Sequence, residues 1–330
     1  MADLILHIGA HKTATSFLQR TLSLNRGLLA RHGLIYPKIR HYPAHHILAG
    51  PWIDVDGVPP AHYGPGGPDG LWRRFVDDHA GLRGTVLLSA EVFSRAETGR
   101  VDMADLARRL DPFDSVRVVY TVRQQPAFLQ SIWLQRARSA PVPPWSAFYR
   151  KAMDTGLASG LWLDHGRVWD LLRQGFPPDR ITFLDYDTIR RESGGVLGAF
   201  LRLAGVSLTA EDLKPAPPAQ SNISADPLCV LIATRMAEPN PIPDDLIVTL
   251  AAARPFGPDR PTSLFTRAEH DALTAAHAPL NEALEARVRP QQPDFAVSPP
   301  VVPGDILWRD KLDSRHWARI ARSLLDREGR

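Results

Sequence analysis

Short apolar runs alternate with amphipathic stretches over the first two hundred residues of the chain. Four of the runs predict buried strands: Leu4–Ile8, Thr85–Glu91, Val116–Val122 and Ile181–Tyr186. Short runs of aliphatic and β-branched residues are typical of a parallel sheet that is covered on both faces. Because a helical pattern follows each run, we predict right-handed βαβ units and a three-layer α/β fold whose mainly parallel central sheet is flanked by helices.

The spacing of apolar positions predicts five helices between and after these strands. They cover residues 15–31 (closed by Gly33), 103–110 (capped by Asp102), 127–138 (after Pro126), 161–174 and 195–205. Residues 37–70 are rich in Pro, Gly and His and show no periodicity. A loop of this length in a compact domain is often functional, so we expect it to contribute to a site.

The chain changes character after residue 214. From there to residue 330 prolines are frequent, helical stretches look short and no convincing strand is present. We therefore predict an α/β core over residues 1–214 and a mostly helical, Pro-rich extension over residues 215–330 that packs on the core. Residues 313–330 have the pattern of an amphipathic helix.

Composition narrows the class of protein. Cys229 is the single cysteine, which excludes an internal disulfide and a thiol-rich metal site. A net charge of +3 is too small to argue for nucleic acid as a partner. No segment is apolar for the length of a membrane span, and the first residues lack a secretion signal. We expect a cytoplasmic protein, and the bias toward arginine is typical of a GC-rich bacterial genome.

The first strand leads into a loop, "GAHKTATSF", that has the layout of an anion site. Backbone N–H groups converge where a strand meets the N-terminus of a helix, and the helix dipole adds partial positive charge. Lys12 supplies a full charge there. A Walker A loop would place its lysine later, directly before Ser or Thr. Here Lys12 stands three residues after Gly9 and Ala14 follows soon after, which weakens the case for a nucleoside triphosphate.

The run "HKTATSFL" resembles the 5′-phosphosulfate loop of sulfotransferases that use 3′-phosphoadenosine 5′-phosphosulfate (PAPS), whose usual form is Pro-Lys-Ser-Gly-Thr-Thr-x-Leu. The resemblance implies a P-loop-like fold and PAPS as co-substrate, with Lys12 at the bridging oxygen and sulfonate. It implies these cofactor-binding residues in the loop: His11, Lys12, Thr13, Ala14, Thr15, Ser16 and Phe17. His11 replaces the proline of the motif. Ala14 replaces its glycine, so the backbone there must suit a residue with a Cβ.

A second block, Val118–Trp133, resembles the 3′-phosphate motif of the same family. It has a strand, an arginine at the strand's end and a serine eight residues later on the next helix. The resemblance implies that Arg123 and Ser131 hold the 3′-phosphate. A guanidinium and a hydroxyl are suitable donors for a phosphate dianion. The Arg-Lys-Gly-rich C-terminal block of the cytosolic small-molecule enzymes is absent from this sequence.

Transfer to a hydroxyl or amine needs a general base, and the sequence offers candidates in two places. Glu91 follows the second predicted strand, where relatives often carry a catalytic histidine. His46 and His45 lie in the loop after the first helix, where carbohydrate-type relatives place a glutamate. We rank Glu91 first, His46 second and His45 third. We expect that the transfer requires no metal. We also expect the acceptor to be a carbohydrate or another small molecule. Aromatic residues near the expected cleft favour a sugar, because their rings can stack on it: Trp52, Tyr63, Trp72, Trp133, Trp145 and Trp162.

Two other functions remain open at this stage. A P-loop kinase or NTPase would use an acidic strand end for magnesium, a role that Asp185 and Asp187 could imitate. A non-catalytic nucleotide-binding protein on a sulfotransferase scaffold would bind the nucleotide without turnover.

Overall fold

A computed structural model describes residues 1–55, 57–97, 99–217, 226–257 and 260–328. The chain divides into two compact units. The first unit consists of Met1–Gln124, Ser159–Pro217 and Leu280–Ser298, and the second of Gln125–Ala158, Pro218–Pro279 and Pro299–Arg330. This division differs from a single boundary after residue 214, because the chain leaves the first unit at Gln124 and returns to it twice.

A five-stranded parallel sheet forms the centre of the first unit. The strands are β1 (Asp3–His7), β2 (Leu34–Ile35), β3 (Thr85–Ser89), β4 (Ser115–Val122) and β7 (Ile181–Asp185). They lie in the order β2-β3-β1-β4-β7, and every neighbouring pair is parallel. The predicted α/β class is confirmed. The four apolar runs all form strands, although the first, second and fourth end one or two residues earlier than expected. β2 was not predicted, because two residues are too few to show a pattern.

Helices cover both faces of this sheet. In the first unit they are α1 (Thr15–Leu24), α2 (Arg26–Arg31), α3 (Gly67–His79), α4 (Met103–Leu110), α7 (His165–Leu172), α8 (Tyr186–Ile189) and α9 (Gly195–Leu203), with a two-residue strand β6 (Leu161–Trp162) before α7. On one face a single buried cluster joins Ile5 of β1 to Leu22 of α1 and Phe200 of α9. On the other face Trp169 of α7 packs against Phe183 of β7, with ring centroids 5.8 Å apart.

Two predicted helices are corrected. The helix expected over residues 15–31 breaks at Asn25, whose side-chain amide donates to the carbonyls of Thr21 and Lys214. The helix expected over residues 161–174 begins only at His165, because Asp164 caps its N-terminus by accepting from the Gly166 N–H at 2.8 Å. The helix at residues 103–110 and its Asp102 cap are confirmed.

The second unit is mostly helical. Its elements are α5 (Gln125–Ala137), α6 (Trp145–Thr155), β5 (Leu157–Ala158), α10 (Pro227–Ala237), α11 (Asp244–Ala252), β8 (Thr262–Ser263), β9 (Leu307–Trp308) and α13 (Ser314–Glu328). The expectation of no strand after residue 214 is wrong, because β8 and β9 pair in parallel. The expectation of short helices there fails for α12 (Arg267–Val288), which continues through Pro279. The amphipathic C-terminal helix is confirmed. None of the described helices has the length and apolarity that crossing a bilayer requires.

Strand β7 lies at the edge of the sheet, and a side chain covers part of its open side. The amide of Gln292 accepts from the Phe183 N–H and donates to the Phe183 carbonyl, both at 2.8 Å. The Gln292 side chain therefore makes the pair of hydrogen bonds that a neighbouring strand would make.

Candidate active site

The loop that the sequence predicts to bind phosphate (the phosphate loop, residues 8–14) runs from the end of β1 to the start of α1, at the carboxyl edge of the sheet. Two of its residues have left-handed backbone angles, Lys12 with φ of 66° and Ala14 with φ of 59°. The Thr13 hydroxyl donates to the Ala10 carbonyl at 2.7 Å and closes the turn. No side chain caps α1, and its first turn has no acidic residue. The first-turn N–H groups of α1 therefore remain suited to an anion.

Arg123 connects the two motifs that the sequence singled out. It follows β4, and its Nη1 donates to the Lys12 carbonyl at 2.8 Å. Its guanidinium carbon lies 5.2 Å from the centre of the Tyr186 ring. The backbone of Arg123 is held as well, because His165 Nε2 lies 2.9 Å from the Arg123 carbonyl oxygen. The Arg123 guanidinium is thus held beside the phosphate loop. Ser131, the other residue of the second motif, lies on α5 in the second unit.

Glu91 and His46 are hydrogen-bonded to each other. His46 Nε2 and Glu91 Oε2 are 2.5 Å apart; the His46 side chain is 37% exposed and that of Glu91 only 6%. Burial by itself would raise the pKa of Glu91, but the hydrogen bond and charge of His46, with smaller contributions from His11 and Thr15, hold that pKa well below its usual range. Glu91 therefore stays a carboxylate at neutral pH, and the two rival base candidates form one pair.

A glutamine from the phosphate-loop helix lies behind this pair. Gln19 is 3% exposed, and its Nε2 donates to Glu91 Oε2 at 2.8 Å and to Ser89 Oγ at 3.1 Å. Ser89 Oγ in turn lies 2.9 Å from His7 Nδ1. Helix α1 is thereby tied to the end of β3, immediately before Glu91.

His45 differs from His46 in having both ring nitrogens occupied by the backbone. The Ser89 N–H donates to His45 Nδ1 at 2.9 Å, which assigns the hydrogen to Nε2, and Nε2 lies 3.0 Å from the Pro37 carbonyl. The ring is completely buried. Burial lowers its pKa to about 3, against the opposing effect of the Pro37 carbonyl. His45 has no nitrogen left for an acceptor molecule.

Two further histidines lie at the loop and stay neutral. Burial lowers the pKa of both His7 and His11 to about 4, although the charge of Glu91 opposes the shift in each case. Within the part of the chain that the structure describes, four buried nitrogens have no hydrogen-bond partner: Nε2 of His7, Nε2 of His11, Nε of Arg95 and Nε of Arg123.

The acidic residues considered for a kinase are engaged elsewhere. Asp185 caps α8 by accepting from the Thr188 N–H, and it also accepts from the N–H and hydroxyl of Ser298. Asp187 forms an ion pair with Arg190 at 3.1 Å. Among the described residues no group of three or more His, Cys, Asp or Glu side chains is arranged to hold a metal ion.

Four of the six aromatic residues expected near the acceptor cleft belong to the protein interior. Trp72, Trp133 and Trp145 are each at most 1% exposed. Trp52 and Trp162 are partly exposed and Tyr63 is 9% exposed. The aromatic argument for a carbohydrate is correspondingly weaker, because interior rings cannot stack on a ligand.

Comparisons with known proteins gave matches only among solved structures. No protein-family model and no curated protein matches the chain. A sulfotransferase from Alicyclobacillus acidocaldarius is similar at 14% identity and a TM-score of 0.45, over 86% of this chain and 95% of the other. Mouse sulfotransferase SULT7A1 in complex with PAP is similar at 12% identity and a TM-score of 0.40, over 86% and 89%. The sulfotransferase domain of the curacin biosynthetic pathway is similar at 11% identity and a TM-score of 0.41, over 84% and 97%.

These similar structures are sulfotransferases. The sequence motifs that resemble sulfotransferase loops lie, in this structure, at the carboxyl ends of β1 and β4, which are neighbours in the sheet. Parallel α/β sheets build their ligand sites at such an edge.

The sequence patterns did not single out Gln19, His165 and Tyr186, which the structure places at this candidate site. Gln19 did carry a signal, since it is a polar residue four positions after Thr15 and three before Leu22, on the apolar side of α1. A polar side chain there needs a buried partner. Nothing local marks His165 and Tyr186, because the fold brings them to Arg123 from 42 and 63 residues further along the chain.

Proposed function

We propose that the protein is a PAPS-dependent sulfotransferase that transfers a sulfuryl group to a hydroxyl or amine of a carbohydrate or another small molecule. One observation carries the proposal: Arg123 donates to the carbonyl of Lys12, so the second motif's cation lies against the phosphate loop. A 5′-phosphosulfate and a 3′-phosphate belong to one nucleotide, and this arrangement suits recognition of both.

The residues present fit the nucleotide. The N-terminus of α1 and Lys12 provide positive charge for the phosphosulfate, while the buried Arg123 Nε, which has no partner among the described residues, is a donor for the 3′-phosphate. His11 to Phe17 and Arg123 would hold the nucleotide; the role of Ser131 stays a prediction from the sequence resemblance. When bound, PAPS would supply the sulfuryl group, with the bisphosphate nucleotide PAP as the leaving group. The positive charge of Lys12 would stabilise the negative charge that develops on this leaving group.

His46 is the base in this proposal and Glu91 orients it. With its Nε2 hydrogen directed to the Glu91 carboxylate, the His46 ring presents Nδ1 as the proton acceptor, and the carboxylate stabilises the imidazolium that forms. A buried carboxylate with a lowered pKa is itself a weak base. This assignment gives Glu91, the first choice from sequence, a supporting role, and it gives His45 a structural one.

Nucleotide binding tests the first half of the proposal. Calorimetry with PAP, ATP and ATP–Mg should give the highest affinity for PAP. Arg123→Ala should lower PAP affinity about tenfold to a hundredfold, because a charge-assisted hydrogen bond is lost. Arg117→Ala is the matched control, since Arg117 is an exposed arginine of the same strand. A preference for ATP–Mg would instead support a kinase or NTPase.

Transfer with labelled PAPS across a panel of sugars, phenols and amines tests the second half. His46→Ala should reduce turnover more than it changes PAP affinity, because the base acts on the acceptor. Full turnover in His46→Ala together with loss in Glu91→Gln would show that Glu91 is the base. PAP binding without transfer to any acceptor would support the non-catalytic alternative. We also propose a cytoplasmic location, since the single buried Cys229 suits a reducing compartment.

A further inference from the structure

We infer that Gln19 is a positioning residue for the His46–Glu91 pair and couples the phosphate-loop helix to it. The inference rests on the proposed function, in which that pair handles the acceptor's proton. It begins from an unusual placement: a neutral amide, 3% exposed, on the inward side of α1 with its donors directed at a carboxylate.

The chemistry of the partners fixes the orientation of the Gln19 amide. A carboxylate can only accept hydrogen bonds, so the NH₂ group of Gln19, rather than its amide oxygen, must face Glu91. The same nitrogen reaches Ser89 Oγ at 3.1 Å, so both hydrogens of the NH₂ group have acceptors. Gln19 is therefore held at two points, and its rotation about the last bond is restricted.

The Glu91 oxygen that Gln19 binds is the one that binds His46. Oε2 accepts from Gln19 at 2.8 Å and lies 2.5 Å from His46 Nε2. Gln19 thus sets the direction from which this oxygen meets the imidazole, and it withdraws part of the negative charge that His46 experiences. Gln19 is an α1 residue one turn beyond Thr15, so a movement of the phosphate loop is transmitted to the pair through the amide.

Other groups also face the pair and stay unchanged when Gln19 is replaced. The groups that interact with the pair are His7, His11, Tyr36 and His45, and Lys12 and Arg95 lie near His11. Burial keeps the pKa of His7 and of His11 near 4, so both are neutral at neutral pH. A change in titration can therefore be assigned to the lost amide.

The test is an NMR pH titration of the histidine rings in the full chain, with the His46 signal assigned by its loss in His46→Ala. Gln19→Met keeps the length and volume of the side chain but removes the donor. Without that donor the carboxylate attracts the shared proton more strongly, so the titration midpoint of the pair should rise by about one pH unit, roughly a tenfold change in proton affinity. Gln19→Glu adds a second carboxylate and should raise it further.

A midpoint within about 0.2 pH units of the wild-type value in Gln19→Met would overturn the inference, because a residue that only packs does not alter the proton affinity of its neighbours. If Gln19→Met does not fold, Ser89→Ala removes one of the two anchors of the amide and should shift the midpoint upward by a smaller amount; no shift would again contradict the inference. PAP affinity, measured in the same samples, bears only on the proposed function, since the titration requires neither nucleotide nor acceptor.

Discussion

Replacing His45 should lower the stability of the protein at neutral pH. It should also reduce the loss of stability that occurs as the pH falls from 7 to 5. His45 ties the loop after β2 to the end of β3 through the Pro37 carbonyl and the Ser89 N–H. In His45→Gln the side chain can still donate to Pro37, whereas the buried Ser89 N–H loses its acceptor. We expect a loss of about 1–3 kcal/mol in the free energy of unfolding at pH 7, the usual cost of a buried donor left unpaired.

The pH dependence follows from the lowered pKa of His45. In the folded protein the pKa is about 3, against 6.5 for the ordinary imidazole. The unfolded chain therefore binds a proton as the pH falls through 6.5 while the folded protein does not, and stability decreases. At pH 5 the pH lies about 1.5 units below the pKa of the imidazole in the unfolded chain. Its protonation there stabilises the unfolded state by about 2 kcal/mol. The glutamine side chain of His45→Gln does not titrate, so the gap between wild type and variant should narrow by about 2 kcal/mol from pH 7 to pH 5.

Urea denaturation at pH 5, 6, 7 and 8 measures this gap, with tryptophan fluorescence as the signal. His32→Gln, the same replacement at an exposed histidine, is the control for the general effect of exchanging histidine for glutamine. A gap between wild type and His45→Gln that stays constant from pH 8 to pH 5 would refute the reasoning. It would mean that His45 takes up its proton in the folded protein as readily as in the unfolded chain.

Two other substitutions test backbone features of the structure. Ala14→Gly should raise the free energy of unfolding by roughly 0.5–1 kcal/mol, because Ala14 has φ of 59° and a Cβ is unfavourable there; a thermal melt would check this, and a lower melting temperature would contradict it. Gln292→Ala should lower stability by about 1–3 kcal/mol through loss of both hydrogen bonds to Phe183 and should increase aggregation of the folded protein, as light scattering would show; unchanged solubility would mean that the edge of β7 is protected in another way.

The sheet could be predicted from sequence because its main strands are buried on both faces. The runs that became β1, β3, β4 and β7 are almost continuously apolar, and this pattern depends only on local residues. The break between α1 and α2 could not be predicted in the same way. The apolar spacing continues across Asn25, and the partner that holds the amide of Asn25, the Lys214 carbonyl, is 189 residues away.

The candidate site shows the same limit. Lys12 and Arg123 could be singled out because each belongs to a short local pattern. The relation between Glu91 and His46 could not, because 45 residues separate them and only the packing of the loop after β2 brings them to 2.5 Å. From the sequence alone they are alternative bases, whereas in the structure the two side chains are hydrogen-bonded to each other.

The Gln292 side chain also has a consequence for how the protein is made. Phe183 is synthesised more than a hundred residues before Gln292. Until Gln292 has been added, the backbone groups of Phe183 at the outer edge of β7 are unpaired. The nascent sheet is therefore exposed to pairing with other chains while the segment between Phe183 and Gln292 is synthesised. A chain that terminates before residue 292 should keep that exposed edge, and a chaperone that binds extended segments would have its longest opportunity in this interval.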